Sequence, residues 1–309
     1  MRVPEAQVDR VRRAAAAGNV DALFTLATWM LAGDPVPRDL AAARVLLGRA
    51  RAIGHVDAAL MEIALVANGS GGPADWPRAT ALLARAAVAD PVAAAQQALL
   101  QAMALGPDGA PERVPVAETL VAAPLVRRVP ALLSPAECAH LARTGAPFLA
   151  PALVADPQTG RNRPDPVRRC STAVIGPARE DLVVRAILLR IAAVTGTVAA
   201  AGEPLTVLRY GPGEQFRPHL DTLPGAAAAN QRRWTVLVYL NQGYAGGETR
   251  FDALDLTVAG RAGDALIFAN TDATGTPDPR TRHAGLPIGT GTKWLATRWI
   301  RSNEFSVWD

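Results

Sequence analysis

The chain has 309 residues, half of them apolar and 19% charged, which is material for one large buried core or two ordinary ones. The formal charge is +4 and the pI near 9.6, yet the first 95 positions hold ten arginines against nine acidic residues with no basic stripe, which disfavours nucleic-acid binding. No stretch reaches the roughly 20 apolar residues that span a bilayer, the opening MRVPEAQVDRVRRAAAA has no apolar leader segment, and Cys138 and Cys170 are too few for a disulfide framework, so the expectation is a cytoplasmic protein without membrane association.

The N-terminal third repeats at an offset of 36 residues: Gly18 falls on Gly54, Asp21 on Asp57, Ala22 on Ala58, Gly33 on Gly69, Asp39 on Asp75, Ala43 on Ala79, Leu46 and Leu47 on Leu82 and Leu83, and Ala50 on Ala86. Each unit predicts a helix from Asp21 to about Ala32, a Gly/Pro loop over Gly33-Asp34-Pro35-Val36-Pro37, and a second helix from about Asp39. Helix pairs of this size stack into an α-solenoid. The pattern A-x-x-G-x-x-x-A, followed by L-A, a loop glycine and D-x-x-x-A, resembles the Sel-one-like subfamily of tetratricopeptide-type repeats over about residues 10 to 105. The resemblance implies a concave protein- or peptide-binding surface, while bracing a neighbouring domain and dimerisation stand as the plainer roles. The chain does not indicate an oligomeric state. His55 and His140 are read as packing or surface residues.

Leu105-Gly106-Pro107-Asp108-Gly109-Ala110-Pro111 ends the helical pattern. The expected division is a helical-repeat domain over 1–105, a linker over 106–124 and a second domain over 125–309. That domain opens on a helix with Ser134 as N-cap, Pro135 at the first helical position and Glu137 three residues after the cap. A further helix covers about Glu180 to Thr195, and strands follow at Leu205 to Tyr210, Trp234 to Leu240, Leu256 to Val258, Ala265 to Ala269 and Trp294 to Ile300. Helices first and strands after predict an antiparallel sandwich or barrel with helices packed outside, giving a multidomain α and α+β chain.

His219 and Asp221 are two residues apart, so an extended chain projects both from one face, where they can hold a single ion. His283 would complete a two-histidine, one-carboxylate set of the kind used by non-haem Fe(II) oxygenases. Lys293 is the one lysine among 32 lysine and arginine residues and lies ten positions after His283, which marks it as an anion-binding group.

Around these residues stand Tyr210-Gly211-Pro212-Gly213, Tyr239-Leu240-Asn241, Gly246-Gly247-Glu248-Thr249, His283-Ala284-Gly285-Leu286-Pro287-Ile288 and Gly291-Thr292-Lys293-Trp294, with Trp299 six beyond the lysine. Over roughly 125 to 305 this string resembles the prolyl 4-hydroxylase family of 2-oxoglutarate-dependent oxygenases, with Ile288 in place of the family's valine. Leu133-Ser134-Pro135-Ala136-Glu137-Cys138 resembles its opening helix, and Arg169-Cys170-Ser171 its R-x-S strand.

That resemblance implies a double-stranded β-helix (jelly roll) that holds Fe(II) through His219, Asp221 and His283. It further implies 2-oxoglutarate bound at its far carboxylate by Lys293, Tyr210 and Thr249, with O2 and ascorbate also used. Arg169 and Trp299 would contact substrate, and Ala155 to Arg169 and Leu223 to Arg233 occupy the places of substrate-covering loops. The implied activity is hydroxylation of an unactivated C–H, foremost in a prolyl residue of a protein or peptide docked by the repeats. A small-molecule hydroxylase and a repeat-based interaction protein with a non-catalytic barrel are the alternatives.

Overall fold

The computed structural model describes residues 3–155, 162–164 and 167–308. The chain divides into two compact units, one of Met1–Glu112 with Pro177–Ile187 and the other of Arg113–Gly176 with Leu188–Asp309.

The first unit contains the helices Glu5–Ala16, Val20–Ala32, Leu40–Ala52, Val56–Asn68, Trp76–Ala86 and Pro91–Ala102. The 36-residue offset in the sequence is the offset of their caps. Asn19 Oδ1 accepts from the Ala22 amide and His55 Nδ1 from the Ala58 amide, while Asp39 and Asp75 cap the next pair through the Ala42 and Arg78 amides. Gly33 and Gly69 close the two equivalent helices in the left-handed conformation, at φ of 76° and 83°. His55 is therefore a helix cap, a role hidden in sequence because histidine is not among the usual capping residues. Ala43, Ala50, Ala58 and Ala79 are wholly buried, and such small side chains let helix backbones approach closely.

Two segments depart from the expected boundaries. Leu105 bridges Pro111, and a Cβ on Gly109 would lie 2.5 Å from the Trp76 indole, so the start of the expected linker closes against the helical unit. The end of that linker is a strand, Glu118–Val121, paired antiparallel with Val126–Val129. Leu182, at the start of the helix Leu182–Thr195, packs with Ile63, Val66, Leu82 and Leu83. Pro177–Ile187 consequently groups with the helices, although the sequence places it well inside the second domain.

In the second unit the larger sheet runs Glu118–Val121, Val126–Val129, Ala265–Ala269, Arg232–Tyr239, Lys293–Arg301, Leu205–Tyr210, Ser171–Ile175 and Ala150–Pro151. The smaller runs Leu256–Val258, Thr249–Phe251, His283–Gly285, Gln215–His219 and Arg168–Arg169. From Leu205 onward the chain passes back and forth between the larger sheet and the smaller, pausing for the smaller sheet's hairpin of Thr249–Phe251 and Leu256–Val258, which makes a double-stranded β-helix. Leu208, Leu237, Leu266 and Phe268 of the larger sheet share a core with Phe251 and Val258 of the smaller. Phe251 meets Phe268 edge-on at 5.1 Å.

Outside the sheets, the helix Pro135–Gly145 starts with the expected capping box between Ser134 and Glu137. Glu137 also pairs with Arg190 at 2.8 Å, and a Cβ on Gly145 would lie 2.8 Å from Val207, so this helix seats directly on a central strand. Among the described residues no helix is long and apolar enough to cross a membrane.

Candidate active site and metal centre

His219 ends one strand of the smaller sheet, and His283 begins the neighbouring strand, directly opposite it in the antiparallel ladder. Asp221 follows two residues after His219. One ligand atom from each of the three side chains can be chosen so that all lie within 4.8 Å of one another. His219 Nε2 is 3.5 Å from Asp221 Oδ1, and His283 Nε2 is 3.8 Å from Asp221 Oδ2.

The surroundings fit a cation. His219 Nδ1 lies 2.8 Å from the Arg217 carbonyl and His283 Nδ1 3.1 Å from that of Thr281, contacts that assign the proton to each Nδ1 and leave Nε2 as a lone-pair donor. Burial pushes the pKa of His283 down to about 4, so it is neutral near pH 7. Burial alone would raise the pKa of Asp221, but it is outweighed by the neighbouring His219 and His283 and by the hydrogen bond from the Thr235 hydroxyl, and the carboxyl is held well below its ordinary range. A buried carboxylate beside two imidazole lone pairs is a mixed oxygen and nitrogen donor set suited to Fe(II). Phe216 stacks on His219 at 3.4 Å, and Phe251 and Phe268 flank His283, fixing both rings.

A second set of residues fixes the carboxylate. Thr235 Oγ1 donates to Asp221 Oδ2 at 2.6 Å, and Asn270 Nδ2 donates to that hydroxyl at 2.9 Å. An ionised carboxylate only accepts, so the relay runs in one direction from Asn270 through Thr235 to Asp221. Thr235, Leu237 and Tyr239 share one face of their strand by the two-residue period, which is the sequence signal that could have found Thr235.

Lys293 is 3% exposed, and Nζ donates to the Gly247 carbonyl at 2.5 Å. Among the described residues it forms no ion pair, and burial pulls its pKa down to about 8. Nζ lies 5.9 Å from the Tyr210 ring centre and 5.2 Å from that of Tyr239. The Tyr239 hydroxyl is 3.1 Å from Thr249 Oγ1. Burial raises the pKa of both tyrosines, keeping them protonated as donors. Tyr239 was visible only as part of a motif, and its place beside Lys293 comes from the pairing of Arg232–Tyr239 with Lys293–Arg301.

The motif residues around this cation shape its cradle. Asn241 Oδ1 accepts from the Trp294 amide while its Nδ2 donates to the Thr292 carbonyl, clasping the turn that delivers Lys293. Gly247, at φ of 74°, sits where a Cβ would be 3.2 Å from Lys293 Cδ and would collide with Ile288.

One cleft is lined by His219, Asp221, His283, Lys293, Tyr210, Thr249 and Trp299 together. Arg169 does not line it and is exposed; Arg168 does, with its guanidinium 5.5 Å from the Phe216 ring centre. Neighbouring residues of a strand face opposite ways, so a one-residue offset exchanges wall for solvent. Trp299 is half-buried, with the Arg232 guanidinium 4.0 Å over its ring and Glu203 holding Arg232 by two contacts of 2.7 Å. Of the expected covering loops, residues 156–161 and 165–166 lie outside those described, and 223–233 contains a short 3-10 helix, Gly225–Asn230.

The sequence profile of the 2OG-Fe(II) oxygenase superfamily matches residues 205–301. A probable prolyl 4-hydroxylase 3 of Arabidopsis thaliana is 32% identical over 197 residues, covering 57% of this chain and 68% of the relative. The crystal structure of a viral collagen prolyl hydroxylase from Paramecium bursaria Chlorella virus-1, a 2OG complex, aligns with TM-score 0.46 and 25% identity over 58% of this chain and 96% of that one. A Sel1 repeat protein from Oxalobacter formigenes aligns with TM-score 0.28 and 24% identity over 29% of this chain and 69% of that one. With the extent of its likeness to the plant enzyme, and the superfamily profile falling on the strands that carry the triad and Lys293, the chain belongs to the prolyl 4-hydroxylase family of Fe(II)- and 2-oxoglutarate-dependent dioxygenases.

Proposed function

We propose that this dioxygenase hydroxylates prolyl residues of a protein or peptide, with His219, Asp221 and His283 holding Fe(II). Lys293, Tyr210, Tyr239 and Thr249 would bind the distal carboxylate of 2-oxoglutarate. The observation that carries the reading is Lys293: a buried ammonium without an ion-pair partner among the described residues, in the same cleft as the triad. A buried cation of this kind is costly until an anion meets it. One of its three N–H groups is used on Gly247, which leaves two for a carboxylate.

When bound, Fe(II) with 2-oxoglutarate and O2 supplies the oxidation that replaces a C–H hydrogen by hydroxyl, releasing succinate and CO2. The chain's own residues set the direction and the medium. Lys293 would anchor the co-substrate within the cleft it shares with the triad, while Leu208, Leu237, Ile288 and Leu295 line that cleft with apolar surface that excludes water. Arg168 and Trp299 would position the prolyl ring and its peptide at the open side. The functional modules are read as a repeat domain over 1–105 that docks the polypeptide and an oxygenase domain over 125–309, working in the cytoplasm with ascorbate. Relatives named as prolyl 4-hydroxylases support the prolyl substrate.

Incubation of the full chain with Fe(II), 2-oxoglutarate, O2, ascorbate and proline-containing polypeptides tests this. Hydroxyproline by mass spectrometry, stoichiometric with succinate and lost in His219→Ala, is the expected result. Succinate formation that no proline-containing polypeptide stimulates would overturn the prolyl assignment.

A further inference from the structure

We propose that a groove on the helical unit, walled by Arg44, Arg51 and Arg78, docks an acidic stretch of the substrate polypeptide through its carboxylates. This rests on the reading that the helical unit captures polypeptide substrates, and it specifies the chemistry of capture.

The groove, about 570 Å3, lies along the helices Leu40–Ala52 and Val56–Asn68 and the turn before Trp76–Ala86. Four guanidinium groups line it, from Arg44, Arg49, Arg51 and Arg78, against two carboxylates, Glu62 and Asp75. Glu62 is 2% exposed and binds Arg51 at 2.6 Å and Arg78 at 3.4 Å, so one buried carboxylate fixes two cations and cancels one. Asp75 is engaged as a helix cap. Arg44 is bonded only to the Pro73 carbonyl, at 3.3 Å, and forms no ion pair among the described residues. Burial and the nearby Arg78 charge pull its pKa down, a penalty that an incoming anion relieves.

The glycines of the wall keep these groups clear. A Cβ on Gly72 would come within 3.0 Å of Arg44 Nη1, and one on Gly48 within 3.2 Å of Glu62 Oε1. Guanidinium forks match carboxylates in plane and spacing. Val45, 64% exposed, and Ala41 supply apolar contact for an extended peptide. The lining includes no aromatic ring on which a base could stack, which favours polypeptide over nucleic acid.

The test is fluorescence anisotropy of a labelled poly-glutamate peptide with the full chain. Binding should weaken about tenfold in Arg44→Glu, fade with added salt and be absent for poly-lysine. Val45→Glu, at an exposed position, should weaken it similarly and keeps the test decisive if Arg44→Glu does not fold. Absent binding, binding indifferent to both substitutions, or tighter binding of single-stranded DNA of equal length would overturn the proposal. The KM of a protein substrate relative to a short prolyl peptide cut from it separates the two readings. Equal values sink docking itself, whereas an advantage that survives both substitutions leaves docking standing and removes this groove.

Discussion

Lys293 sits directly across the antiparallel ladder from Tyr210, so one backbone register brings the chain's sole lysine and a buried phenol to the same end of the cleft. Neither residue depends on a flexible loop for its place. The cation proposed to meet 2-oxoglutarate is therefore as rigid as the sheet that carries it.

Lys293→Met should raise the KM for 2-oxoglutarate by about a hundredfold, the scale of losing one partner of a desolvated charge pair. Metal affinity, read by Co(II) titration, should change little because no triad ligand contacts the lysine. An unaltered 2-oxoglutarate dependence would remove Lys293 from the site.

The pH dependence follows from the same group. Its folded pKa of about 8 lies below the ordinary 10.5, so the unfolded chain binds the extra proton between those values and stability without co-substrate rises with pH across that window. Below pH 8 the buried charge costs on the order of 3 kcal/mol, and Lys293→Met should raise the melting temperature there. The KM for 2-oxoglutarate should climb above pH 8 in the native chain and stay flat in the variant. A parallel rise in both would assign the titration elsewhere.

Thr235→Val removes the hydroxyl that holds Asp221 while preserving shape, and metal affinity should fall about 10- to 100-fold. Asn270→Leu should have a smaller effect in the same direction, since Thr235 still donates to the carboxylate. Mn(II) binding followed by electron paramagnetic resonance reads this without turnover. Native affinity in Thr235→Val would show that Asp221 is positioned without the relay.

Gly260→Ala would put a Cβ 2.0 Å from the Tyr239 ring. The ring cannot yield without disturbing Thr249, so the substitution should destabilise the fold by about 1–3 kcal/mol. It should also raise the 2-oxoglutarate KM, with Tyr239→Phe raising KM alone. Denaturant unfolding beside steady-state kinetics separates the two effects, and native behaviour of Gly260→Ala would exclude the tight contact.

The repeat phase was legible because caps and left-handed glycines are local: Asp39, Gly33 and their partners 36 residues on act within one helical turn of themselves. His219-x-Asp221 and the ten-residue step from His283 to Lys293 were legible as short offsets along the chain. The linker was not, because Glu118–Val121 becomes a strand only by pairing with Val126–Val129, and Gly109 closes on Trp76 only once the helices have stacked.

The sequence by itself determined the two-part architecture, the offsets that relate His219, Asp221, His283 and Lys293, and the likeness to the oxygenase family, since these rest on periodicity and fixed short offsets. Only the tertiary structure decided that Arg168 rather than Arg169 walls the cleft, that Thr235 and Asn270 steady Asp221, that Tyr239 faces Thr249, and that Pro177–Ile187 joins the helical unit. Each depends on which strand or helix packs beside which, and that choice is made by the burial of distant apolar residues together. No offset along the chain records it.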